Sequence, residues 1–167
     1  MINIRKATVS DAECIANINV ATWKTAYKDL LPDDFLQQRN VTEKRIQSTA
    51  NSINNGERIW LVAQKDNQVI AFCCGGKARD ENFPAEYELC AIYVLQSNQN
   101  QGVGKALLDE FRKQIDNKPF YLYALKGNNK ATKFYTKNGG TELPEYEKDL
   151  PIPNIQAKEI LFYFDKK

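Results

Sequence analysis

Between Gln99 and Lys105 the chain reads Gln-Asn-Gln-Gly-Val-Gly-Lys, after the apolar run Ala91-Ile92-Tyr93-Val94-Leu95 and before an amphipathic stretch opening at Ala106. Glycine at 102 and 104 lets the backbone take φ > 0 and approach a ligand closely, so several N–H groups can converge on one anion. The unpaired N–H groups and positive dipole end of the following helix add to that attraction. A strand, a glycine turn and a helix in this order make a phosphate site, and a phosphate-bearing cofactor is expected. Histidine is absent from all 167 residues. That excludes a Ser-His-Asp or Cys-His engine and His-ligated zinc, so any general base must be a carboxylate, a tyrosine, a cysteine or a relayed water. The four cysteines, Cys14, Cys73, Cys74 and Cys90, lack C-x-x-C spacing, and each sits in an apolar segment. Buried thiols in a reducing compartment, with no metal site, are expected.

Spacing separates three kinds of phosphate loop. A Walker A loop needs an earlier glycine in register and Ser or Thr after the lysine, and here Ala106 follows Lys105. A dinucleotide fingerprint needs a small residue where Leu107 stands, and it normally follows the first strand of its unit. A glycine pair before a helix is also an ordinary tight turn, so the neighbours decide. What remains, Q-x-x-G-x-G over Gln99, Asn100, Gln101, Gly102, Val103 and Gly104, resembles the pyrophosphate loop of the GNAT family of acyl-CoA-dependent N-acetyltransferases. Glu88-Leu89-Cys90-Ala91-Ile92-Tyr93-Val94 looks like that family's fourth strand. Asn128 to Gly139 is similar to its N-x-x-A-x-x-F/Y-Y-x-x-x-G signature, through Asn128, Ala131, Phe134, Tyr135 and Gly139. Ile4-Arg5-Lys6-Ala7-Thr8 running into Asp11-Ala12 looks like its opening strand and first helix. Four blocks in the right order cover nearly the whole chain.

The resemblance implies acetyl-CoA as donor and an amine as acceptor. Glu88, 11 residues before Gln99, stands where several family members carry a catalytic glutamate. Alternation puts it on one face with Glu86, Cys90, Ile92 and Val94, where desolvation is expected to raise its pKa toward neutrality. As a solvated strand charge or the partner of an Arg or Lys it would read the same. Main-chain groups of Ile92, Tyr93 and Val94 are implied to line the acyl arm, with Gln99 to Lys105 on the pyrophosphate. Tyr135 matches the tyrosine that protonates the leaving thiolate, although a core aromatic would occupy the same helical position. Asn128 and Ala131 are implied near the pantetheine arm, and Asn128 would look identical as a plain N-cap. On the acceptor side Trp23, Tyr27 and Glu86 are the substrate-binding candidates, with Asp29, Asp33 and Asp34 nearby. Trp23 and Tyr27, four apart on a helix, also suit packing. Where the family commonly has an aromatic after Gly139, this chain has Gly140, which is expected to loosen the segment closing the acceptor pocket.

Composition agrees: 43% hydrophobic, 26% charged and a formal charge of +2 describe a soluble chain of one-domain size, residues 1–167. No basic run suggests nucleic acid, and no long apolar stretch or leader suggests a membrane, so a cytoplasmic location is expected. A homodimer is left open. Two other readings stand beside the transferase: a module of the same fold that binds or senses acyl-CoA without turnover, and a nicotinamide-dependent enzyme.

The elements that must position these residues follow from periodicity. Ile2 and Ile4 suggest a first strand, and Thr8 with Asp11 a capping box opening a helix through Ala26. Pro32 and Thr42-Glu43 suggest a broken second helix ending by Gly56. Stretches 58–65 and 68–75 read as a hairpin turned at Asp66-Asn67. A strand over 86–95, a helix over 103–115, a strand over 120–125, a helix over 128–137 and strands over 139–148 and 157–165 complete the order. With the family resemblance this implies an α/β (α+β) domain. Its mixed, mostly antiparallel sheet of six to seven strands is expected to splay at the fourth and fifth, with about four flanking helices.

Overall fold

Asp66 and Asn67 both take positive φ, 49° and 63°, a pair of left-handed residues that turns one strand straight back on the next. The resulting hairpin joins β2 (Ile59–Lys65) and β3 (Gln68–Lys77) as antiparallel neighbours in the sheet. In this computed structural model, which describes residues 1–80, 83 and 85–166, β1 (Ile2–Lys6) leads through a 3-10 turn to α1 (Ala12–Ala26), α2 (Asp33–Gln38) and α3 (Glu43–Asn55). After the hairpin come β4 (Tyr87–Val94), α4 (Val103–Gln114), β5 (Phe120–Leu125), α5 (Asn129–Lys137), β6 (Gly140–Asp149) and β7 (Lys158–Phe164). Local chemistry sets the helix ends. Asp11 accepts from the Thr8 N–H at 2.8 Å and from both guanidinium nitrogens of Arg5, and those Arg5 bonds hold its carboxyl at about 2. Thr42 accepts from the Arg45 N–H, and Gly56 closes α3 at φ 67°.

Seven strands lie in the order β1-β2-β3-β4-β5-β7-β6. Neighbours are antiparallel except β4 and β5, which are parallel and pair only through Tyr87–Phe120 and Glu88–Tyr121. From Leu89 onward β4 has no β5 partner, and the sheet splays there as expected. On one face α4 buries Val103, Leu107, Leu108 and Phe111 with Tyr135 of α5. On the other, Ile15 and Ile18 of α1 pack on Val62 and Phe72. Among the described residues no helix is long and apolar enough to cross a membrane, and no three His, Cys, Asp or Glu side chains group to hold a metal.

Three expectations need correction. Alternation along β4 is interrupted: Gly75 faces Leu89 and Cys74 faces Ala91, so Cys90 is an extra, bulged residue. Leu89, Ile92 and Val94 therefore share the α4 face, while Ala91 and Tyr93 share the α1 face. Glu88 lies across the sheet from Ile92 and Val94 rather than beside them. Only Cys73 and Cys74 are buried. Cys90 is exposed at the bulge and Cys14 on the outer side of α1, and all four thiols are free. Nor does Gly140 loosen anything. It is buried where a Cβ would stand 2.7 Å from the Phe164 ring and 3.0 Å from the Tyr135 carbonyl, so glycine is what lets β6 pack under α5.

Candidate active site

The loop between β4 and α4 is built for an anion. A short 3-10 turn over Gln96–Asn98 leads to Asn100 at φ 61° and Gly102 at φ 80°. The N–H groups of Gln101, Gly102, Val103, Gly104 and Lys105 then find no acceptor among the described residues, and Ala106 is the first to bond back, to the Gly102 carbonyl at 3.0 Å. Five free donors at a helix head fit a pyrophosphate. Gln99 steadies the loop: its Nε2 donates to the Val94 carbonyl at 2.9 Å, and its Oε1 accepts from Lys130 Nζ at 2.6 Å. Lys105 pairs with Asp109 one turn on. At Gly104 a Cβ would stand 3.2 Å from the Phe134 ring, so α5 closes tightly over the start of α4.

Beside the loop lies the free edge of β4, with the main chain of Ile92, Tyr93 and Val94 along it. Tyr135 stands on α5 above this opening, its ring held by Phe134, Phe162 and Phe164 at centroid distances of 5.4, 5.4 and 6.3 Å. It is a core aromatic whose hydroxyl has no hydrogen-bond partner among the described residues, and burial pushes its pKa up. Asn128 is an N-cap: its Oδ1 accepts from the Ala131 N–H at 3.1 Å.

Glu88 sits at the bottom of the splay, only 5% exposed. One carboxylate oxygen accepts from Arg58 Nη1 at 2.9 Å, from Arg79 Nε and from the Cys90 thiol, and the other accepts from the Tyr121 hydroxyl at 3.3 Å. Burial alone would raise its pKa, but the two guanidinium groups outweigh it and leave the carboxyl below its ordinary value. The expected elevation is overturned. Its cause, an apolar face, is replaced on this side of the bulge by two arginines.

Trp23 and Tyr27, at the end of α1, pack edge to face at 4.8 Å, and the Tyr27 hydroxyl meets that of Tyr93 at 3.3 Å. Arg39 lies 3.8 Å above the Trp23 ring. Burial raises the pKa of both tyrosines. The indole Nε1–H of Trp23 is buried near the Tyr93 hydroxyl without a hydrogen bond of good geometry. Glu86 does not join them. It precedes β4 at the opposite end, exposed between Lys77 and Lys118 at 3.5 and 3.1 Å, about 20 Å from Tyr93 at strand rise.

Sequence reasoning missed Arg58, Arg79 and Tyr121 around Glu88, and Glu159 on β7. One signal for Glu159 was available: alternation in Lys158–Phe164 sets it on the face of Leu161 and Tyr163, a charge in an otherwise apolar series.

A sheet that splays between parallel strands, with a donor-rich helix head beside the gap, is the architecture of a GNAT acetyltransferase. Residues 55–139, about half the chain, match the family described as acetyltransferase (GNAT) domain, and the chain belongs to that family. It is similar to the uncharacterized N-acetyltransferase YuaI of Bacillus subtilis, 27% identical over 163 residues that cover 96% of this chain and 91% of that one. It also resembles the spermidine N(1)-acetyltransferase of Thermoplasma acidophilum, 25% identical over 83% of this chain and 87% of that one. In fold it matches the crystal structure of a PaiA N-acetyltransferase from Thermoplasma acidophilum in complex with coenzyme A. The TM-score is 0.74 at 20% identity, covering 100% of this chain and 99% of that one.

Proposed function

We propose that the protein is a cytoplasmic N-acetyltransferase that moves an acetyl group from acetyl-CoA to a primary amine of a small molecule or peptide, by direct attack with both substrates bound. The observation that carries this reading is the run of five unpaired N–H groups at the head of α4 beside the free edge of β4. Bound there, acetyl-CoA supplies a thioester carbonyl activated toward amines. The N–H groups of Gln101 to Lys105 hold the pyrophosphate oxygens. The Ile92 to Val94 main chain lines the acyl arm, and an N–H there steadies the carbonyl oxygen as it gains charge. Asn128 and Ala131 fix the start of α5 against that arm.

Glu88 is ionised throughout the neutral range because Arg58 and Arg79 favour its charge. So weak a base orients and drains a water relay from the attacking amine better than it abstracts the proton directly. Tyr135 stays protonated and donates to the departing thiolate, then regains a proton from solvent. Trp23 and Tyr27 wall the acceptor side, and an aliphatic polyamine, named as substrate for the Thermoplasma relative, is the first acceptor to test.

A second reading, a module that binds acyl-CoA without turnover, draws on the double ion pairing of Glu88. Thiol release from acetyl-CoA over a panel of amines separates the two. Acceptor-dependent thiol is expected; tight acetyl-CoA binding with no thiol from any amine overturns the transferase.

A further inference from the structure

The proton relay and the cofactor contacts leave one carboxylate on the α1 side of the splay without a task. Glu159 of β7 lies in register between Leu125 of β5 and Lys148 of β6. It is half-buried, and among the described residues it accepts no hydrogen bond and forms no ion pair. Its cross-strand neighbour does not neutralise it. Lys148 instead rests its ammonium 3.5 Å from the centroid of the Tyr123 ring, beyond ion-pair distance of Glu159. Arg79 is the other cation whose field reaches Glu159, and its guanidinium is held by Glu88. Tyr27, Tyr93 and Tyr123 all feel the Glu159 charge, and Asp80 adds a further negative charge near Tyr123. Trp23 Nε1, buried without a hydrogen bond of good geometry, lies near Tyr93 on the same side of the sheet.

We propose that Glu159 and the face of Tyr123 seat a second, non-reacting ammonium of the acceptor, whose place over the ring Lys148 holds as a tethered stand-in until it is displaced. An unpaired carboxylate beside an aromatic face offers an ammonium both a charge-assisted hydrogen bond and a cation–π contact. Lys148 already makes the second of these. The same carboxylate favours the protonated form of whatever amine it holds. That suits an anchor and opposes a nucleophile, which must be neutral to attack. The reacting nitrogen therefore lies elsewhere, toward Glu88. In the register of β5, Glu159 is level with Leu125 and Glu88 with Tyr121, four residues or about 13 Å of strand. The acceptor class this selects is an aliphatic diamine or polyamine rather than a monoamine or a neutral peptide end.

The proposal rests on the acetyl-transfer reading, and the test separates the two. Diamines of three to eight methylenes are compared with n-alkylamines of equal length, by thiol release with acetyl-CoA. The best diamine is expected to exceed its monoamine at least tenfold in kcat/KM. Glu159→Gln should remove that preference through a roughly tenfold rise in diamine KM, leaving kcat, monoamine KM and acetyl-CoA affinity unchanged. Lys148→Met, which removes the stand-in, should lower diamine KM several-fold. If no amine yields thiol, calorimetric binding of the same diamines to the CoA-loaded protein replaces the rate, and Glu159→Gln should weaken it about tenfold. No diamine preference in the wild type, or a preference or affinity that survives Glu159→Gln, overturns the seat.

Discussion

Replacing Glu88 with Gln keeps the shape of the side chain and removes the charge that two arginines address. Arg79 is 69% exposed in its side chain and recovers its hydration at little cost, so its share is small. Arg58 is 22% exposed beside a carboxylate that is 6% exposed, and it loses a charge-assisted bond in a place water reaches poorly. A charged hydrogen bond of this kind contributes about 1.5–3 kcal/mol. We expect Glu88→Gln to destabilise the fold by about 2 kcal/mol, or roughly 4–8 °C in melting temperature for a chain of this size. The pH dependence has a definite sign. The folded pKa of Glu88 lies below its unfolded value, so the pair's contribution is complete above the ordinary carboxylate range and disappears as pH falls through the folded value. Thermal unfolding followed by circular dichroism from pH 8 down to pH 3 should show the two proteins converging at the acid end. Equal stability at neutral pH, or a gap that persists unchanged at pH 3, would refute the assignment of Glu88 as a buried, ionised pair.

Other outcomes follow from the same geometry. Gly102→Val puts a β-branched side chain at φ 80° and should abolish acetyl-CoA binding in calorimetry while the protein stays folded; retained affinity would sink the cradle. Tyr135→Phe preserves the ring packing, so melting temperature and acetyl-CoA affinity should hold while kcat falls about 10²-fold. An unchanged kcat would leave Tyr135 a core residue only. Gly140→Ala drives a methyl into Phe164 and should cost about 1–3 kcal/mol in denaturant unfolding, and a neutral result would contradict the close packing of β6 under α5.

The parts of this molecule that depend on neighbours in sequence were legible. The loop from Gln99 to Gly104, the Asp66-Asn67 turn, the Gly56 stop and the boundaries of α4 and β5 are set by a few adjacent residues, and periodicity locates them closely. What depends on pairing across the sheet was not legible. The bulge at Cys90 is one residue of offset between β3 and β4, and a pattern of apolar residues read along one strand carries no record of its partner. That single offset accounts for the misjudged surroundings of Glu88. The arginines that surround it come from positions 58 and 79, on other segments. Gly140 was misread for a related reason: a missing side chain looks like a loss until the Phe164 ring that fills its place is seen. Glu86 and Glu88 look alike in sequence, and only the turn into β4 sends one to solvent and the other inward.

The bulged residue has a further bearing on how this chain can change. Cys90 is the one residue of β4 with no partner on β3, and the residues on either side of it pair as though it were absent. Exchanging it for another small residue alters two contacts, one with Arg58 and one with Glu88. Removing it from the chain would leave Leu89 opposite Gly75 and Ala91 opposite Cys74 in unbroken alternation, with Ile92 and Val94 still toward α4 and Ala91 and Tyr93 still toward α1. Position 90 is therefore a residue the ladder accommodates rather than requires, and what it adds is local: a kink in β4 and a thiol set between Arg58 and Glu88.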